Sequence, residues 1–308
     1  MTTVYYNTAD TAVLTIIDKP RAGAWVSVMG PDDAELDGLA ERFKLDRDLL
    51  GDAVDIYEAP RIEKDGTNIY VYTRYCYPEG KEIATEPLLL IITSDNVISV
   101  MRADTSILNR FTGGARQVVT THKTQLVMQI MEEINHSYRL QLNRVSKQIL
   151  RTRAQLRQSQ ISNRDFVRII ELEEDLNEFL AALHPQATLL MAFTSTKYLR
   201  LHEDDKEMVE DLTLEARELI ELTKSRLRTL VNIRQAYDAI ATNNLNNTFK
   251  RLTSIAIFLT IPTIVGGLWG MNVAVPFQDE KYAFVYVLLI IVTLTTGVIW
   301  FFSRKKWL

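Results

Sequence analysis

The residues best suited to chemistry stand near the end of the chain, where Gly270, Met271 and Asn272 lie between two uncharged segments. The first segment, Leu252 to Trp269, is just long enough to cross the hydrocarbon core of a bilayer, and the second, Tyr282 to Ser303, crosses it with length to spare. A three-residue motif has little weight alone, because short motifs occur by chance. Its position in the chain's hydrophobic hairpin gives it weight. This arrangement predicts a membrane ion pathway.

The two apolar segments differ in polarity. The first contains Ser, Thr, Pro and Gly, whereas the second is mostly Val, Ile, Leu and Phe. Because polar and small groups in a span normally face protein or water, we expect the first segment to line an axis and the second to face lipid. At alternating three- and four-residue steps, one face of the first segment alternates apolar constrictions with hydroxyl and backbone oxygens: Phe249, Leu252, Ala256, Thr260, Thr263, Gly267 and Gly270. The alternative interpretation is that small residues here simply allow close helix packing.

Basic residues flank the hairpin on both sides: Lys250 and Arg251 before it, and Arg304, Lys305 and Lys306 after it. Positive residues favour the cytoplasmic side, so both ends should be cytoplasmic and the loop 272–281 external. The N-terminus lacks a basic start followed by an apolar core, so we expect no cleaved signal peptide. The sequence therefore predicts a multi-pass protein of the plasma or inner membrane.

The middle of the chain should be long helix, because Pro185 is the only helix breaker between Ala115 and Ile261. Apolar residues recur at helical spacing in the first part: Val127, Ile130, Ile134, Tyr138, Leu142, Val145 and Ile149. A second helix fits Asp165 to His184, and we expect Pro185 to interrupt it.

A third helix should run unbroken from Asp205 to Gly270, a length of about 100 Å at 1.5 Å per residue. Its apolar stripe contains Met208, Leu212, Leu219, Leu230, Ile233, Tyr237 and Ile240. This stripe must pack on other helices, and copies of the same helix from neighbouring subunits are natural candidates.

Residues 1–112 predict a small sheet with helices, without a glycine-rich phosphate loop or a metal-binding cluster of His, Asp and Glu. Four runs are strand-like: Ala24 to Met29, Asn68 to Tyr75, Leu88 to Thr93 and Val97 to Val100. Asp32 follows Gly30 and Pro31 and can cap the helix after them. Cys76 is the single cysteine, which excludes an internal disulfide and indicates a buried bystander.

In these features the chain resembles the CorA family of magnesium transporters. The family's Gly-Met-Asn signature is Gly270-Met271-Asn272, preceded by the aromatic Trp269, and its basic ending is represented by residues 304–308. The resemblance implies a funnel-shaped homopentamer with an α+β cytosolic domain, a long helical stalk and two C-terminal transmembrane helices. It assigns 1–112 to the α/β domain, 113–251 to the helical domain, 252–271 to the pore-lining span, 272–281 to the external loop, 282–303 to the second span and 304–308 to the cytosolic tail.

The resemblance also implies roles for the stripe and the signature. Asn272 and the Gly270 carbonyl would form, with Met271, a selectivity ring for hydrated Mg²⁺, which gives up its water reluctantly and can be held by neutral oxygens. Further down the pore it places the polar groups Thr263, Thr260 and Asn246, and a hydrophobic gate at Phe249 and Leu252. An interior-negative potential would drive entry without ATP, at about 2.3 kcal/mol per charge per 100 mV.

Family members also sense cytosolic Mg²⁺ through acidic groups, and Asp211 in the acidic stretch 202–211 is the best match to the stalk sensor. The alternative is a solvated acidic first turn that complements the helix dipole. After the signature, 273–280 departs from the Met-Pro-Glu loop of many members. Because members of the superfamily also move Zn²⁺, the resemblance supports transport of a divalent metal (Mg²⁺, Co²⁺, Ni²⁺ or Zn²⁺) better than it identifies the metal.

Two other classes of protein are alternatives to a channel. A membrane-tethered helical scaffold or sensor would use the hairpin only as an anchor. An enzyme is a poorer alternative, because no nucleophile with a base and no cofactor loop is visible. The acidic run 171–178 beside the arginine-rich stretch 139–168 favours a salt-bridged helix pair over a device that concentrates cations, and nucleic-acid binding is not expected.

Overall fold

The computed structural model describes residues 1–8, 14–80, 82–102, 106–114, 116–157, 163–195, 198 and 201–305. The chain forms two compact units, Met1–Arg234 and Gln235–Leu308. The predicted boundaries at residues 112 and 251 stay predictions. Lys306, Trp307 and Leu308 of the predicted basic tail lie outside the described residues.

The first unit contains a seven-stranded sheet of order β2-β1-β3-β7-β6-β5-β4. Its strands are β1 (Thr2–Tyr6), β2 (Thr15–Ile16), β3 (Trp25–Met29), β4 (Arg61–Asp65), β5 (Asn68–Glu79), β6 (Glu82–Ile92) and β7 (Val97–Met101). The β3–β7 pair is parallel and the other pairs are antiparallel. All four predicted strand runs are confirmed. Strands β1, β2 and β4 were not predicted; they lie in the outer half or at an edge of the sheet.

The helices are α1 (Asp33–Phe43), α2 (Arg47–Gly51), α3 (Asn109–Thr112), α4 (Lys123–Arg157), α5 (Asn163–Phe193), α6 (Glu203–Trp269) and α7 (Ala283–Arg304). The turn before α1 is built as predicted. Gly30 has a positive φ of 55°, a conformation that glycine adopts without strain. The Asp32 carboxylate then accepts a hydrogen bond from the Glu35 N–H at 2.7 Å and caps the helix.

Alternation along the strands gives the sheet two buried faces. On β5, Tyr70 and Tyr72 belong to the core shared with α1 and α2, whereas Ile69 and Val71 face the core shared with the long helices. Both faces are apolar because helices cover both of them. The unit is therefore a three-layer α/β/α arrangement.

The predicted apolar face of α4 is confirmed, since all seven of its residues from Val127 to Ile149 are buried. The prediction for α5 is wrong at its end, because the helix continues through Pro185 to Phe193. An interior proline costs about 3 kcal/mol. The side chains of Leu189, Leu190 and Phe193 after it are buried, and their burial offsets that cost.

Helix α6 is continuous over 67 residues, as predicted. The sequence suggested that copies of the same helix from neighbouring subunits cover its apolar stripe, but part of the stripe is covered within this chain. Leu212, Leu219, Leu230 and Ile233 are buried in the chain's own core, against other helices of the same unit. This part of the stripe therefore needs no neighbouring copy to bury it.

The second unit contains the remainder of α6 and helix α7. Both helices include a stretch long and apolar enough to cross a membrane. None of the residues of α7 is buried within the chain. A helix of this hydropathy with no buried side chain fits a lipid environment.

Candidate functional site

The apolar part of α6 packs on α7 through one face only. Ser254 and Val265 are 0% and 5% exposed, and Phe258 and Ile261 between them are half-buried. The Phe258 ring meets the Phe302 ring edge-on, with centroids 5.9 Å apart. Steps of four, three and four residues place this packed face on one side of the helix.

The predicted pore stripe lies on the other side of the same helix. Each residue advances the helix by about 100°, which places the stripe roughly half a turn from the packed face. All of its members are exposed in the unit: Phe249, Leu252, Ala256, Thr260, Thr263, Gly267 and Gly270. Asn246, also exposed, lies at the edge of this face. The structure brings the predicted residues together, and their role as a pore lining stays a prediction.

The threonine hydroxyls of the stripe are oriented by their own helix. Thr260 donates to the Ala256 carbonyl at 2.8 Å, and Thr263 donates to the Leu259 carbonyl at 2.9 Å. A hydroxyl that donates its one hydrogen still has oxygen lone pairs that can accept. On an exposed face these oxygens can accept hydrogen bonds from the water shell of a cation.

The Gly-Met-Asn triplet forms the exit from α6. The Gly270 N–H donates to the Gly266 carbonyl at 2.9 Å, which closes the last turn. A Cβ at position 270 would lie 3.1 Å from that carbonyl oxygen, so a side chain there would press on the turn. Met271 and Asn272 are exposed, and the Asn272 amide makes no hydrogen bond to any other described residue. The amide is therefore free to bind a ligand.

The loop after the triplet is fastened to the end of α6 by Trp269. Its indole N–H donates to the Pro276 carbonyl at 3.1 Å. Phe277 follows with a positive φ of 67° and packs on Tyr286 of α7, with ring centroids 5.5 Å apart. From the sequence, Trp269 was identified only as the aromatic before the signature, and this anchoring contact was not predicted.

Asp211 lines an acidic cavity of about 650 Å³ in the first unit. Asp204 and Glu207 also line it and are exposed, as Asp211 is. Two further carboxylates of the cavity share the single positive charge of Arg139, whose guanidinium lies 3.0 Å from Glu215 and 3.0 Å from Glu218.

The hydrogen bond from Arg139 holds the pKa of Glu218 below its ordinary value. No three His, Cys, Asp or Glu side chains in the described part of the chain are placed to hold a metal ion together. A sensor role for Asp211 stays a prediction.

Comparison with known proteins gives concordant matches over most of the chain. The family profile for the CorA-like Mg²⁺ transporter protein matches residues 21–305. The cobalt/magnesium transport protein CorA of Methanocaldococcus jannaschii is 22% identical over 298 residues, which cover 92% of this chain and 91% of that protein. The solved structure of the CorA magnesium transporter from the same organism superimposes with a TM-score of 0.88 at 20% identity, covering 100% of this chain and 99% of the other.

A shorter match joins the chain to a zinc transporter. The zinc transport protein ZntB of Pectobacterium carotovorum is 27% identical over 126 residues, which cover 40% of this chain and 38% of that protein.

Proposed function

The chain belongs to the family of CorA-like Mg²⁺ transporter proteins, and we propose that it forms a membrane channel through which hydrated Mg²⁺ enters the cell. The observation that carries the proposal is the exposed face of α6. The stripe that ends at Gly270 is left uncovered by the second span, which packs on the opposite side of the helix.

A single two-span subunit cannot enclose a pore with one helix. Several copies must place their first spans around a common axis, and the family resemblance favours a homopentamer. In that arrangement the uncovered face of α6 lines the axis. Helix α7, with its Val, Ile, Leu and Phe side chains and no buried residue, faces lipid.

The neutral oxygens at the external mouth suit a hydrated cation. Each subunit contributes the Gly270 carbonyl and the Asn272 amide oxygen, which accept hydrogen bonds from metal-bound water. Mg²⁺ then keeps its water shell, whose removal is unfavourable, while neutral groups hold it weakly enough to leave. The ring of Thr260 and Thr263 hydroxyls offers the same kind of acceptor deeper in the pore.

The membrane potential supplies the driving force. With both termini cytoplasmic, as the basic flanks favour, the triplet faces the outside and the cation moves inward. Each charge gains about 2.3 kcal/mol per 100 mV of interior-negative potential, and Mg²⁺ gains twice that. ATP hydrolysis is not required.

Zinc is the second candidate cargo, because the chain also matches a zinc transport protein over 126 residues. Co²⁺ and Ni²⁺ share with Mg²⁺ the ability to travel with bound water. The triplet does not discriminate among these ions by itself, so the metal must be identified by measurement.

The first experiment reconstitutes the full chain in liposomes that contain a Mg²⁺-sensitive dye and imposes an interior-negative potential. Wild type should take up Mg²⁺. In Asn272→Ala the rate of uptake should fall at least about tenfold, because each subunit loses a hydrogen-bond acceptor for the ion's water. Val273→Ala is the matched control, because Val273 is an exposed neighbour in the same loop.

Three outcomes separate the alternatives. Mg²⁺ uptake that falls at least about tenfold in Asn272→Ala and stays at the wild-type rate in Val273→Ala supports the channel. Uptake of Zn²⁺ without Mg²⁺ favours the zinc transporter. No flux of any divalent ion would favour the membrane-tethered scaffold.

Regulation by cytosolic Mg²⁺ through Asp211 is part of the proposal. Its support is the exposed position of Asp211 in an acidic cavity whose other members include Asp204. Asp211→Asn should raise the internal Mg²⁺ concentration that halves uptake, and Asp204→Asn is the control in the same cavity. An equal shift in both variants would indicate general electrostatics rather than a site at Asp211.

A further inference from the structure

A cavity of about 760 Å³ in the first unit is lined by the β5–β6 hairpin and by helices α4 and α5. Its polar wall contains Arg144, Arg164, Arg168, Gln141, Gln148 and Glu171. Three guanidinium groups therefore converge on one cavity with a single carboxylate. This composition is the reverse of the acidic cavity around Asp211.

The charges of this basic cavity are only partly balanced. Arg168 lies 2.7 Å from the Glu171 carboxylate and also donates to the Gln148 amide oxygen. Arg144 donates to the Gln141 amide oxygen at 3.1 Å. Among the described side chains, neither Arg144 nor Arg164 has a carboxylate partner, so this set of lining residues carries two positive charges in excess.

Three arginines that line two other cavities of this unit, Arg74, Arg102 and Arg139, have oxygen partners. Arg102 is paired with Glu86, and Arg139 is paired with two carboxylates. Arg74 donates to the carbonyls of Ile56 and Glu58. From the sequence, we expected the arginine-rich stretch to form salt bridges with the neighbouring acidic run. Among the described residues, that run forms one ion pair with the stretch, Arg168–Glu171 within α5, and one with Arg234 of α6. Arg144 of α4 and Arg164 of α5 have no carboxylate partner among these residues.

We propose that this cavity binds an anion that carries two or more phosphate groups next to an apolar or planar part. Guanidinium groups bind phosphate oxygens through two parallel hydrogen bonds, and the glutamine amides can donate to further oxygens. Ile83 and Val167 supply an apolar wall beside them. The volume lies within the range of small-ligand sites, which is about 300–1,000 Å³.

The beginning of α5 adds to the attraction. Arg164, Val167 and Arg168 lie in the first two turns of this 31-residue helix, where the helix dipole is positive. A nucleoside polyphosphate and the headgroup of a phospholipid with two phosphate groups, such as cardiolipin, both have the required chemistry. The site does not depend on the proposed transport.

The test uses the full chain purified in detergent, with pyrophosphate and ATP as probes in divalent-free buffer and calorimetry as the readout. The double variant Arg144→Gln/Arg164→Gln should weaken binding of both probes at least about tenfold. The matched control is Arg151→Gln/Arg153→Gln, which removes the same charge from exposed positions of α4 that do not line the cavity. Unchanged melting temperatures verify that the variants fold.

Two results would overturn the proposal: no saturable binding of either probe to wild type, or an equal loss of affinity in the control variant. The source of the phosphate is distinguished in nanodiscs made with phosphatidylcholine alone or with added cardiolipin, a lipid with two phosphate groups. Pyrophosphate affinity that is the same in both membranes identifies a soluble anion as the ligand. Affinity that falls with cardiolipin in wild type but not in Arg144→Gln/Arg164→Gln identifies the lipid headgroup.

Discussion

Replacing Thr260 by Val tests whether the exposed face of α6 lines an ion pathway. The substitution removes a hydroxyl and keeps the shape of the side chain. The hydroxyl donates its hydrogen to the Ala256 carbonyl, so its oxygen can act only as an acceptor towards the pore. A hydrated cation that passes this level would lose that acceptor in every subunit at once.

The magnitude follows from the number of contacts. A hydrogen bond accepted from the water shell contributes about 0.5–1.5 kcal/mol net. A shell that touches two hydroxyls of the ring loses about 1–3 kcal/mol, and the rate of uptake should fall about five- to 150-fold. Thr263→Val should behave in the same way, because the Thr263 hydroxyl is exposed on the same face.

Ser254→Ala is the matched control on the packed face. The Ser254 hydroxyl is buried and donates to the Lys250 carbonyl at 2.8 Å, within the same helix. Its loss should change the rate by no more than about twofold. The assay is dye-reported uptake into liposomes, with each variant first shown to assemble to the wild-type size.

The opposite result would refute the reasoning. If Thr260→Val keeps the wild-type rate while Ser254→Ala loses it, the small and polar residues of α6 serve helix packing. The exposed face would then not be the conducting one.

Three further predictions concern the elements that hold the site in place. Trp269→Phe keeps an aromatic side chain but removes the hydrogen bond to the Pro276 carbonyl. The rate of uptake should therefore fall about two- to tenfold in the liposome assay, and an unchanged rate would show that the loop does not need this hydrogen bond. The side-chain amides of Asn135 and Gln186 are fully buried and lie 2.9 Å apart. Asn135→Leu and Gln186→Leu each leave one amide without this partner, so each should lower the free energy of unfolding by about 1–3 kcal/mol, measured by thermal denaturation. The double variant should lose less stability than the sum of the two single variants, and strict additivity would contradict this pairing. Cys76 is buried, and burial raises the pKa of its thiol. A maleimide should therefore label it only after unfolding, and rapid labelling of the folded protein would contradict this. Because the thiol ionises more easily in the unfolded chain, the free energy of unfolding should decline as the pH rises above the pKa of an ordinary thiol.

Much of the fold follows from local patterns. The 3.6-residue period of α4 was predictable because burial on one face imposes a period on the sequence. The uninterrupted run of α6 was predictable because it lacks helix breakers before the membrane segment, and the four strand runs because β-branched and aromatic residues stand between turn signals. The capping of α1 by Asp32 was also predictable, since a cap depends on residues three positions apart.

The missed strands have little apolar periodicity of their own. Strand β1 pairs with β3, 20 or more positions away, and β4 is only half-buried, so neither has a strong period of its own. Pro185 is a second case. Its local preference ends a helix, but the buried residues that follow it, such as Leu190, stabilise the helical conformation against that preference.

The sequence by itself determined the two apolar helices, the neutral triplet between them and the polar stripe of α6, because length, hydropathy and helical spacing are properties of consecutive residues. Tertiary structure decided which side of α6 the second span covers and which arginines of the basic cavity, Arg144 and Arg164, have no carboxylate partner among the described residues. Those features depend on which distant residues meet when the chain folds, and contacts of that kind leave no pattern in the local sequence.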